Sequence, residues 1–319
     1  MAQENITTNL IDLIELYKIA NTAEGKSPKT ISGYDDFLKA FVRYALEIYG
    51  TCDLTIFVML IIRKYILFLQ KRPKISNGKE QPNTCLSPFT VQDNVRALKA
   101  FSTWLNTDGY TEENRLKNLK IPKAPKTMIT VLSKDEINSI IDSIDRSSLI
   151  GARNFAIFSL DLDSGLRESE LAGIIVDNVD LTDGFIKVMG KGRKERIVPI
   201  GKQTRMILFS YINKERMELN LHDSNFLFLS SRGTPITANA IKLMFSRLAK
   251  TSGVRRLHCH LCRHTFATNY LLNGGDIFSL KEILGHTTFE MVNRYVHFTN
   301  SQITHQHHKY SPMDKFFDI

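Results

Sequence analysis

The sequence predicts a mainly α-helical protein of two domains: an all-helical N-terminal domain and a mostly helical second domain holding a small antiparallel β-sheet. Three observations predict it. Apolar residues recur at helical spacing through most of the chain, the stretch from Ile174 to Ile200 changes to β-prone runs around a Gly-rich turn, and IPKAPKTMIT, residues 121–130, interrupts the pattern with two prolines and exposed lysines. With 319 residues, 43% hydrophobic and 24% charged, the chain can bury a core in each domain. The expected division is 1–121, a linker over 122–131, and 132–319.

In the first domain Leu10, Leu13, Ile14, Tyr17 and Ile19 form one helical face. Ser27-Pro28-Lys29-Thr30 then offers a helix start ahead of Tyr34, Phe37, Leu38, Phe41 and Val42. A third helix is expected through the apolar run Leu54 to Leu69. Lys71 to Ser87, polar and broken by Pro73, Gly78 and Pro82, reads as a loop. Thr90 is expected to cap a fourth helix carrying Val91, Val95, Leu98, Phe101, Trp104 and Leu105, ended by Asp108-Gly109.

In the second domain Ser133-Lys134-Asp135-Glu136 fits a capping box that opens a helix through Ile137, Ile140 and Ile141, and another helix carries Phe155 to Leu160. Phe185, Ile186 and Val188 face Ile197, Val198 and Ile200 across Gly190-Lys191-Gly192-Arg193-Lys194, a hairpin with a basic tip. Helices resume near Lys202. Gly274-Gly275 stops one, Asp276 caps the next, Gly285 stops that, and Thr287 with Glu290 makes a second capping box, two turns before Tyr295.

The net charge is +9, and the cationic excess is shared by both halves of the chain, which suits a polyanion held by both domains as well as it suits plain solubility. Four cysteines, Cys52, Cys85, Cys259 and Cys262, are too few for a disulfide scaffold and point to a reducing, cytoplasmic compartment. Arg63 and Lys64 interrupt the longest apolar run, so no membrane anchor is expected. No signal peptide is read in Met1 to Leu10.

Taken singly, the polar residues of the second domain decide little. Arg167 and Glu170, three apart, share a helix face and fit an ordinary ion pair as well as a held guanidinium. His260 and Arg263 have the same spacing and suit a phosphate or a surface. Glycines flanking Lys191 allow close backbone approach to a ligand, yet the spacing from Gly184 is wrong for a nucleotide phosphate loop. Cys259 and Cys262 have zinc-ligand spacing, but no second Cys or His pair follows at finger distance, and no metal or cofactor is expected.

Read in order, SGLRESEL at 164–171, GKGRKERIVPI at 190–200, HLCRHTFAT at 260–268 and LGHTTFEMVNRYVHF at 284–298 form a set. The set resembles the catalytic domain of the tyrosine recombinases, the phage integrase family. The resemblance runs from about Leu132 to Phe298, and SPKTISGYDDFLKAF and VRALKAFSTWL extend it faintly over the N-terminal domain. It implies a core-type DNA-binding domain at 1–121 and a catalytic domain at 132–319 that ends in a C-terminal tail. It places the family's catalytic residues on Arg167, Lys191, His260, Arg263, His286 and Tyr295, with Glu170 supporting. Leu261, Cys262 and Val292 depart from the family's commoner residues and bear on local packing.

The chemistry explains the residue types. Two arginines, charged at any working pH, answer the repulsion between a phosphodiester and its nucleophile. Lys191 would protonate the leaving 5′-oxygen, His260 would take the phenol proton of Tyr295, and His286 would donate to the phosphate. The resemblance further implies a 3′-phosphotyrosine intermediate and exchange through a Holliday junction in a homo-tetramer on two duplex sites. The tail from Asn300 to Ser311, ending in Phe316, Phe317 and Ile319, is expected to dock on a neighbouring protomer or back on its own domain. An accessory DNA-bending or directionality protein is a possible partner. With only Met1 to Ser27 ahead of the second helix, a simple Xer-like or transposon-type enzyme is expected. The alternatives are type IB topoisomerase-like relaxation and a catalytically silent DNA-binding regulator.

Overall fold

The structure, a computed structural model, describes residues 7–76, 79–125, 130–190 and 194–285, and beyond them Thr288, Val292, Tyr295, His307, Lys309 and 311–313. The chain divides into two compact units, Met1–Thr127 and Met128–Ile319.

In the first unit α1 spans Leu10–Ala23, α2 Pro28–Tyr49, α3 Met59–Lys71 and α4 Pro88–Thr107. Helix starts follow side-chain chemistry. Asn9 accepts from the Ile11 N–H at 2.8 Å, and Ser27, followed by Pro28, accepts from Thr30 at 3.2 Å. Helix α2 stops at Gly50, whose left-handed φ of 67° suits the only residue without a Cβ. Leu13, Phe41, Phe57, Ile62, Tyr65, Val95, Leu98 and Phe101 interlock in the core. Phe41 meets the edge of Tyr65 at 5.2 Å between ring centroids, a favourable aromatic geometry.

Three expectations are corrected here. The fourth helix is capped by Ser87, not Thr90, because Ser87-Pro88 repeats the Ser27-Pro28 arrangement and the Ser87 hydroxyl accepts from Thr90 N–H at 3.1 Å. The run from Leu54 is not one helix. Asp53 caps a single 3-10 turn, Leu54–Ile56, and α3 begins only after Val58, which is extended. The unit is not wholly helical either: Pro73–Ser76 (β1) and Lys79–Cys85 (β2) pair antiparallel, with an irregularity between Pro73 and Lys74. Proline at a strand's first residue is compatible with pairing, and Asn77 and Gly78 lie outside the described residues.

In the second unit α5 spans Lys134–Asp142, α6 Leu149–Ser164, α7 Glu168–Ala172, α8 Lys202–Asn213, α9 Glu215–Leu219, α10 Ala238–Thr251, α11 Cys259–Leu272 and α12 Ile277–Leu284. The Ser133 capping box forms as expected, with both reciprocal bonds to Glu136. Asp276 caps α12 and Gly285, at φ 60°, ends it. Strands β3 (Val179–Asp180), β4 (Phe185–Met189) and β5 (Glu195–Pro199) make one antiparallel sheet in that order, with Met189 opposite Glu195 at the hairpin end. Ile186, Val188 and Val198 point inward. Helix α6 is the buried axis, packed on α8 and α11, with Phe158 and Leu160 fully enclosed. The Thr287 and Glu290 capping box, Tyr310, and Phe316, Phe317 and Ile319 of the tail lie outside the described residues.

No helix among the described residues is long and apolar enough to cross a membrane, and all four cysteines are free thiols.

Candidate active site

Four segments meet at one place in the second unit. Helix α6 ends in Gly165, held at φ 61° where a Cβ would stand 2.7 Å from Phe266 and 3.1 Å from Leu284, so only glycine fits this turn. The turn delivers Arg167 to the start of α7. There the Glu170 side chain accepts from the Arg167 backbone N–H at 2.9 Å and from its Nη1 at 2.8 Å. Arg167 therefore begins the helix and pairs with a residue of its first turn. The ion pair that spacing alone left open is real, and the Arg167 side chain remains 27% exposed while that of Glu170 is 3% exposed.

Arg263, on α11, is buried. Its Nη1 donates to the Gly165 carbonyl and its Nη2 to the Leu284 carbonyl, both at 2.6 Å. Burial pulls its pKa down to about 10, and the nearby Arg167 guanidinium pulls the same way, whereas Glu170 and Tyr295 raise it. It stays cationic at neutral pH. These mutual influences place Arg167, Glu170, Arg263 and Tyr295 in one electrostatic neighbourhood.

Tyr295 is buried among Ala267, Leu271, Leu280, Leu284 and Val292. Its phenol oxygen shares a 2.8 Å hydrogen bond with Nδ1 of His264, a residue that sequence reasoning passed over. The only signal for it was position: His264 follows Arg263 directly and stands four residues after His260, one turn further along the same face of α11. His260 is exposed in the first turn of that helix. Lys191 and His286 lie outside the described residues. The hairpin bearing Lys191 is closed on its described side by Gly190 N–H to Lys194 carbonyl at 2.8 Å.

A second residue missed from sequence is Arg196 on β5. Its Nη1 and Nη2 donate to the two oxygens of Glu170 at 2.8 and 2.9 Å, and its Nε to the Ile283 carbonyl at 2.8 Å. Burial raises the Glu170 carboxyl, but Arg196, the Arg167 N–H and both guanidinium charges outweigh that and hold it below the ordinary carboxylate range. Asp161, which feels the Arg263 charge, is fully enclosed, and burial pushes its carboxyl well above its usual range. Burial likewise raises the Cys259 and Cys262 thiols, so neither is a ready thiolate. Among the described residues no group of His, Cys, Asp or Glu is arranged to hold a metal.

A helical unit with a three-stranded sheet thus brings two arginines from separate segments close to one tyrosine. Residues 130–302 match the Phage integrase family. Tyrosine recombinase XerC of Bacillus subtilis (strain 168) is 33% identical over 233 residues, covering 71% of this chain and 76% of that protein. Tyrosine recombinase XerD of Listeria innocua is 29% identical over 292 residues, covering 91% and 94%. The chain belongs to the phage integrase family. Its fold is shared by the Tn1549 transposon integrase solved with transposon right end DNA, at a TM-score of 0.73 and 20% identity over 94% of this chain and 99% of that one. The XerH site-specific recombinase, solved in a post-cleavage complex on palindromic difH substrate, superposes with a TM-score of 0.71 at 22% identity, covering 92% and 83%.

Proposed function

We propose that the chain is a site-specific DNA recombinase that cuts and rejoins duplex DNA through a covalent bond between Tyr295 and a 3′-phosphate. The observation that supports this best is the meeting of Arg167 and Arg263 with Tyr295 in a member of this family. The two guanidiniums take the non-bridging oxygens of the scissile phosphate and offset the charge that repels a nucleophile. Arg263 is fixed by two carbonyls, whereas Arg167, with its side chain 27% exposed, keeps part of its guanidinium toward solvent.

The phenol oxygen of Tyr295 bonds to phosphorus as the bond to the 5′-oxygen breaks. His264 holds the phenol before attack, and His260, one turn earlier on the same face of α11, takes its proton. Lys191 returns a proton to the 5′-oxygen, and His286 donates to the phosphate. One phosphodiester is exchanged for another, so the reverse attack by a 5′-hydroxyl rejoins the strand with no outside energy source. No cofactor enters this scheme. Pairing two such sites through a Holliday junction takes a homo-tetramer. The first unit adds DNA contacts as a core-type binding domain, and the enzyme works in the cytoplasm on integration, excision or resolution of DNA.

The test is covalent trapping. Wild type and Tyr295→Phe are incubated with a nicked suicide duplex, of a sequence selected from a random pool for tight binding, and resolved on a denaturing gel. A slow band from wild type alone is expected, with equal binding by both proteins. A band from both would move the nucleophile elsewhere. No band from either, on bound DNA, would favour the silent regulator. Cleavage that relaxes supercoils without joining two sites would favour the topoisomerase-like alternative.

A further inference from the structure

We propose that Arg196 is a positioning residue for strand cleavage: by gripping both oxygens of Glu170 and the Ile283 carbonyl together, it aims Arg167 at the scissile phosphate. The inference rests on the function proposed above. Oε1 of Glu170 is shared, at 2.8 Å, by Nη1 of Arg167 and Nη1 of Arg196. Arg196 also occupies Oε2 alongside the Arg167 backbone N–H. With both oxygens engaged, the carboxylate accepts only one side-chain nitrogen of Arg167, Nη1. The other nitrogen of Arg167 is left to a long 3.3 Å contact with the Gly285 carbonyl and to solvent. Without Arg196, Glu170 could take Arg167 by both nitrogens, turning its donors inward and away from the phosphate.

A second feature extends the role. The carbonyls of Ile283, Leu284 and Gly285 accept from Arg196, Arg263 and Arg167 in turn. A helix leaves its last carbonyls without intrahelical partners and carries partial negative charge there. At the end of α12 that charge is met by three guanidiniums drawn from β5, α11 and the start of α7. Both neighbouring backbones leave room for Arg196 and no more: a Cβ on Gly285 would stand 3.1 Å from its guanidinium carbon, and one on Gly190 3.3 Å from its Nη1. Arg196 thus ties the strand that follows the Lys191 hairpin to the carboxylate of Arg167 and to the helix end from which the chain continues to Tyr295. Lysine cannot replace it, since three donors on one planar group reach three acceptors at fixed angles.

The test compares substrates of different charge. A methylphosphonate at the scissile position replaces a charged non-bridging oxygen by methyl, so its cleavage leans far less on a correctly aimed cation. Single-turnover trapping is measured at saturating DNA for wild type, Arg196→Lys, Arg196→Met and Arg167→Ala, below the melting point found for each by circular dichroism. Both Arg196 variants are expected to cleave the phosphodiester about 100-fold more slowly, the cost of a reacting group displaced by about 1 Å. On the methylphosphonate they should fall within about fivefold of wild type, following Arg167→Ala, with DNA affinity unchanged. Equal losses on both substrates, or no loss on either, would overturn the assignment, as would failure of both variants to fold. Failure of wild type to trap either substrate would instead overturn the recombinase reading itself.

Discussion

Replacing Glu170 by glutamine tests whether one enclosed carboxylate is the counter-ion of two guanidiniums. The carboxylate accepts from four donors, Arg167 N–H and Nη1 and Arg196 Nη1 and Nη2, at 2.8 to 2.9 Å, and its side chain is 3% exposed. Glutamine keeps the shape but turns one acceptor into a donor that faces another donor, and it leaves two cations without their anion. Breaking a buried pair from one side costs about 3–5 kcal/mol. For a unit of this size, at about 2–4 °C per kcal/mol, Glu170→Gln should lower Tm by about 6–20 °C near neutral pH. The pH dependence has a definite sign. The native carboxyl titrates below its ordinary value of 4.5, so its stabilisation is complete above that range and is lost as pH falls through the lowered pKa. The gap between wild type and variant must therefore narrow below about pH 4. Calorimetric melts across the acid range provide the assay. A Tm within about 2 °C of wild type at neutral pH, less than 1 kcal/mol, would refute the counter-ion role.

Two further substitutions probe the same region. Asp161→Asn should stabilise the protein above the ordinary carboxylate range: a raised native pKa means that stability is present below the unfolded value and lost as pH rises toward the folded one, by about 1.4 kcal/mol per pH unit. Urea unfolding at pH 4 and pH 7 checks this, and a variant less stable than wild type at both would contradict it. Gly165→Ala should lower Tm by several degrees, since a left-handed φ of 61° costs a residue with a Cβ about 1–2 kcal/mol before its 2.7 Å clash with Phe266 is counted. It should also slow covalent trapping, because the Gly165 carbonyl holds Arg263.

What could be read ahead of the structure depended on how far each residue stands from its partners. Arg167 and Glu170 are three apart, and Asp276 and Gly285 bracket one short helix, so local periodicity and cap chemistry were enough to find them. The four motifs were recognisable because their order along the chain is itself a pattern. Arg196 stands inside GKGRKERIVPI with nothing local to single it out, because its acceptors are Glu170, 26 residues back, and Ile283, 87 residues on. His264 was hidden for a similar reason: its partner Tyr295 is 31 residues away, past a helix and a turn. The β1–β2 hairpin was missed because its strands, KEQPNTC above all, lack the alternating apolar pattern that betrays a half-buried sheet.

The electrostatic balance of the site follows from these placements. Arg167, Arg196 and Arg263 bring three positive charges, and Glu170 returns one negative charge. A second carboxyl, Asp161, stands close enough to Arg263 to feel its charge, and full enclosure pushes its pKa well above the ordinary carboxylate range, which disfavours its charged form. The terminal carbonyls of α12 reduce the repulsion among the guanidiniums without neutralising any of them, since a helix end carries only about half a unit of charge. Among these described residues two positive charges are therefore left over near Tyr295, the nucleophile of the proposed reaction. In the proposed reaction a phosphodiester would supply one negative charge, and a second would develop on its oxygens as the tyrosine attacked, so the surplus would match the transition state more closely than the ground state.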